Sequence, residues 1–89
     1  MIQSLAIIRI PECNISRRNH NRLCHEKDRL LPIINEQTGL IPGNFPLSKA
    51  DLSVIPTLLL EDLLSFYNLP RFGTLKDEHL AFCEFIGVD

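Results

Sequence analysis

Between Ile55 and Val88 two strongly apolar segments are joined by the short connection Asn68-Leu69-Pro70-Arg71-Phe72-Gly73-Thr74, and no other stretch carries so dense a set of large apolar side chains. In the first segment Leu58, Leu59, Leu60, Leu63, Leu64, Phe66 and Tyr67 recur at three- and four-residue intervals, with Glu61, Asp62 and Ser65 on the remaining arc. That spacing predicts a helix with a wide buried face. Pro56 suits its first position, and Pro70 stops it by forcing the preceding residue away from the α region. Thr74 followed by Asp77 reads as an N-cap, so a second helix should begin at Leu75 and end at Gly87. Its apolar set, Leu75, Leu80, Phe82, Phe85 and Ile86, is expected to close on the first helix.

The rest of the chain is read around this hairpin. Ile2 to Ile10 is short, rich in β-branched residues and closed by Pro11, which predicts a strand. Its partners would be Ile33-Ile34 and Leu40-Ile41, flanking a turn at Glu36-Gln37-Thr38-Gly39. The alternative is the same strand of a second copy, in a homodimer burying Ile2, Ile8 and Ile10. Cys13 to Ser16 reads as a connection, and Ser16 to Leu31 as a polar surface helix ended by Pro32. Leu40 to Leu47, with Pro42, Gly43, Asn44 and Pro46, is expected to be irregular. Ser48-Lys49-Ala50-Asp51 offers a second capped start, for a short helix to about Val54. With 89 residues, the expected organisation is a single domain. Residues 1–47 would hold the strand and basic helix, and residues 48–89 the hairpin. The fold class expected is α+β and helix-dominated, with an N-terminal strand followed by three to four helices; an all-α fold is the alternative.

Several function classes are excluded on composition and motif. No apolar run approaches the roughly 18 to 20 residues of a membrane span, and Met1 to Ile10 lacks the basic leader of a signal peptide. The three cysteines form no disulfide framework, which points to a reducing, intracellular and cytoplasmic setting, or a nuclear one if nucleic acid is bound. The Asn14-Ile15-Ser16 sequon would then be coincidental. There is no phosphate-binding glycine loop, serine elbow or zinc-protease helix. Cys24 and His25 are adjacent, and adjacent helical residues do not face each other. The reading is therefore a protein without enzymatic activity and without a cofactor.

Charge is more informative in its placement than in its total of −2. Arg17, Arg18, Arg22, Lys27 and Arg29 oppose Glu26 and Asp28, while Glu61, Asp62, Asp77, Glu78, Glu84 and Asp89 oppose only Arg71 and Lys76. The molecule should have a basic end and an acidic end. Leu60-x2-Leu63-Leu64-x4-Leu69-Pro70-x2-Gly73-Thr74-Leu75-Lys76-x3-Leu80 resembles the helix, turn and helix of the SAP motif. That resemblance covers residues 55–88 and implies DNA binding, with Arg71 and Lys76 as the phosphate contacts that carry over. Arg17, Arg18, Arg22 and Arg29 could add donors to phosphates and base edges. An acidic hairpin is repelled by a duplex, however, so nucleic acid is the second choice. A third reading is a zinc-stabilised adaptor, because His20 and Cys24, and likewise His79 and Cys83, are spaced to share a helical face. The leading expectation is a small interaction or regulatory protein that contacts another protein through Leu40, Ile41, Phe45 and Phe72. These are apolar residues in Pro- and Gly-containing connections.

Overall fold

The structure, a computed structural model, describes residues 2–71 and 73–88, with side chains from Arg9 onward. Four helices follow one another: α1 (Ile2–Leu23), α2 (Lys49–Ser53), α3 (Thr57–Phe66) and α4 (Leu75–Ile86). Among the described residues there is no strand, so the α+β expectation gives way to the all-α alternative. Ile2 to Ile10 forms the opening turns of a 22-residue helix that runs straight through Pro11. A strand needs partner groups for its N–H and C=O, whereas a helix satisfies them within itself; β-branched side chains lower helix propensity only slightly. A strand-paired dimer is overturned with the strand, and the side chains of Ile2 and Ile8 lie outside the described residues. The helix expected at Ser16 to Leu31 is the second half of α1 and stops at Leu23. Beyond it Asp28 closes a turn, its carboxylate accepting from the His25 N–H. No described helix is long and apolar enough to cross a membrane.

The hairpin forms as its periodicity predicts. Leu60, Leu63 and Leu64 of α3 pack with Phe82 and Ile86 of α4, joined by Leu30, Ile33, Leu52, Tyr67 and Val88. Three of the expected core positions differ: Leu58 is exposed because Leu60, Leu63 and Leu64 set the buried line of α3, and Leu75 and Leu80 are exposed because Glu78, Phe82 and Ile86 set that of α4. Ser48 and Thr74 cap α2 and α4 by accepting from the N–H of Asp51 and Asp77. Pro56 lies one residue outside α3, as its cap.

Both long helices of the hairpin end in the same six-residue hydrogen-bonded motif. After α3, Asn68 takes the left-handed conformation (φ 55°), and the Leu69 N–H reaches the Leu64 carbonyl at 2.9 Å. After α4, Gly87 does so (φ 93°), and the Val88 N–H reaches the Cys83 carbonyl at 2.8 Å. These are Schellman terminations, which satisfy the last orphan carbonyls.

Between α1 and α2 the chain runs without regular structure from Cys24 to Ser48. Residues 29–35 belong to no helix, and their backbone is bonded chiefly by side chains. Asn14 and Asn21 stand two helical turns apart on α1, hence on one face. Asn14 donates to the Ile34 carbonyl and accepts from the Ile34 N–H, both at 2.8 Å. Asn21 accepts from the Leu31 N–H at 2.7 Å and donates to the carbonyls of Leu31 and Ile86. Between them Arg17 donates to the Pro32 carbonyl, and Arg18 donates to the Phe85 carbonyl with its guanidinium over the Phe85 ring. The Tyr67 hydroxyl donates to the Ile33 carbonyl at 2.6 Å. This polar face positions α1 against both residues 29–35 and the end of α4.

Candidate functional site

The residues expected to bind a partner separate into two groups. Leu40 and Ile41 are 62% and 51% exposed and follow one another on the connection after the turn at Glu36 to Thr38. That connection is closely fastened. The Asn35 N–H reaches the Leu40 carbonyl, the Gly39 N–H reaches the Asn35 carbonyl, and the Asn35 side-chain oxygen accepts from the N–H groups of Gln37 and Thr38. Asn35 also donates to the Phe66 carbonyl at 2.7 Å, which ties the turn to the end of α3. Gly39 sits at φ 74°, a conformation that favours glycine. Phe45 is half-buried, and its ring lies 6.1 Å from that of Phe82. Phe72 lies outside the described residues.

The arginines of the basic segment do not present one face to solvent. Arg17 and Arg18 turn inward to backbone carbonyls, while Arg22 and Arg29 are exposed, Arg22 bonding the Asn19 side chain. In the hairpin, Arg71 bridges Glu61 at 3.0 Å and Glu78 at 2.6 Å, and the hydrogen bond to Glu78 is the first cause holding its guanidinium above the ordinary arginine range. Lys76 is exposed.

Of the four residues considered as zinc ligands, Cys24, His79 and Cys83 line the same cleft, while His20 lines another. The imidazole of His20 is bonded to the Arg29 carbonyl, which also accepts from the Cys24 thiol at 3.5 Å. His79 and Cys83 are neighbours on α4, as their spacing predicts, with the Cys83 sulfur 3.7 Å from His79 Nδ1. His79 Nε2 lies 2.9 Å from the Leu52 carbonyl. Among the described residues no three His, Cys, Asp or Glu side chains converge so as to hold a metal ion.

Two features escaped the sequence reading. Asn14 was assigned to a connection, yet it is 0% exposed and its amide nitrogen is bonded to Ile34, so the sequon is closed to glycosylation in the fold. The signal was the polar stripe Asn14, Arg17, Arg18 and Asn21, which has the same i, i+3, i+4, i+7 spacing as an apolar one. The other is the contact of His79 Nε2 with the Leu52 carbonyl, 27 residues away in the chain. No family model matches the chain, and neither a curated protein nor a solved structure is significantly similar to it.

Proposed function

We propose that this protein is a small, non-enzymatic interaction protein whose partner is another protein, docked on Leu40 and Ile41. The carrying observation is that two adjacent, large apolar side chains are held in solvent on a turn fastened by hydrogen bonds through Asn35. An apolar pair presented on a pinned connection loses little freedom on binding, which favours affinity. Leu47, also exposed, extends the apolar character of the same connection. The nucleic-acid alternative draws less support. Arg17 and Arg18 are engaged internally, and Arg71, one of the two residues carried by the SAP resemblance, is neutralised by two carboxylates.

The test is affinity purification from the native source with a tagged chain, wild type against the double variant Leu40→Asp, Ile41→Asp. Both sites are exposed, so the variant should keep the wild-type melting temperature and lose the retained protein. Equal retention by both would overturn the assignment of this surface.

A further inference from the structure

The Cys83 thiol, the His79 imidazole and the Leu52 carbonyl stand in line, and the line opens on a cleft of about 510 Å³. A carbonyl oxygen can only accept, so the 2.9 Å contact places a hydrogen on His79 Nε2 and fixes the tautomer. In the neutral ring Nδ1 is then a bare lone pair, and it faces the Cys83 sulfur at 3.7 Å. A nucleophile, a base within reach of its proton and a third group orienting the base are the parts of an activated thiol. We propose that Cys83 is a covalent modification site for small soft carbon electrophiles of the α,β-unsaturated carbonyl class, with His79 as the general base.

The step balances without a further reagent. The thiol proton passes to His79 Nδ1, and the sulfur electron pair forms a C–S bond to the β-carbon. The C=C π pair moves toward the carbonyl, and the α-carbon takes up the proton that His79 holds. Nothing is oxidised and nothing leaves; S–H has added across C=C. Burial pushes the Cys83 thiol up and keeps it protonated at rest, so the role left for His79 is removal of the proton during attack. The cleft wall also carries Cys24, His25, Glu26, Lys49 and Val88. Cys24 serves as an internal control, because it is as buried as Cys83 but its thiol points to the Arg29 carbonyl, which is no base.

N-Ethylmaleimide is the probe, on full-length protein carrying Cys13→Ser to remove the exposed thiol, with each cysteine followed by peptide mass spectrometry. Cys83 should label at least about ten times faster than Cys24. His79→Gln, which keeps an N–H for the Leu52 carbonyl but has no base, should slow Cys83 by about 100-fold and leave Cys24 unchanged, the size expected for a lost general base. In His79→Ala, added imidazole should restore the Cys83 rate. Labelling of Cys83 at the rate of Cys24, no effect of His79→Gln, or no recovery with imidazole would each overturn the proposal. A variant that unfolds would accelerate both cysteines together, and His79→Gln then gives way to the imidazole arm.

Discussion

In the hairpin, Leu60, Leu63, Leu64, Phe82 and Ile86 are buried among apolar neighbours, whereas on α1 the equally buried Asn14 and Asn21 face backbone amides and carbonyls. The difference concerns direction. Apolar burial is roughly proportional to area and tolerates small rotations, so the hairpin can settle by adjusting side chains. An amide that both donates and accepts across one residue fixes register: Asn14 recognises Ile34, and Asn21 recognises Leu31. One region is packed and the other is indexed.

The strongest way to break this contrast is at the point where the two regions touch. A Cβ on Gly87 would lie 2.4 Å from the Arg18 carbonyl oxygen and 2.8 Å from the Arg18 Cα, both backbone atoms that a rotamer change cannot move. Gly87→Ala therefore combines left-handed strain with a clash and should destabilise the protein by about 4 kcal/mol in urea unfolding. Next is Asn21→Leu, of similar size but unable to bond. It leaves the Leu31 N–H and the Leu31 and Ile86 carbonyls without this partner, for a loss of roughly 3 kcal/mol. A neutral Asn21→Leu would mean that α1 is held by packing after all, and the contrast would fail.

Tyr67→Phe removes one bond that joins the regions, the one to Ile33, and should cost about 1 kcal/mol at neutral pH. Burial holds the Tyr67 proton on well above the ordinary tyrosine range. The folded state thus keeps a proton that the unfolded chain releases, and stability should fall as pH rises above about 10. Part of that alkaline loss should disappear in Tyr67→Phe, as read from melting temperature against pH. The smallest effect is expected at Asn68→Gly. This position shares the left-handed geometry of Gly87 but is exposed, so the change should stay within about 0.5 kcal/mol. Two equivalent helix ends would then differ by their surroundings alone.

The hairpin was legible because its determinants are local. Leucine spacing, Thr74 with Asp77, and Gly87 each act within a few residues of themselves. The polar docking of α1 was not, because the partners of Asn14 and Asn21 are, apart from the Glu36 carboxylate, backbone groups 10 to 65 residues away, and backbone groups carry no sequence signature. The strand expected at Ile2 to Ile10 failed for a related reason: β-branched residues report what a strand can accommodate, and the described residues offer no edge to pair with. Of the site, the exposure of Leu40 and Ile41 followed from the Pro and Gly around them. The half-buried position of Phe45, in the same stretch, depended on its approach to the Phe82 ring, 37 residues further along the chain.

The bonds from Arg18 to Phe85 and from Asn21 to Ile86 join residues 67 and 65 positions apart in the chain. During synthesis at about 5 to 20 residues per second, α1 emerges first and then waits roughly 3 to 13 seconds for the carbonyls it grips. The polar face of α1 is well suited to the delay, since amides and guanidinium groups can remain hydrated on the nascent chain where an apolar face would seek other company.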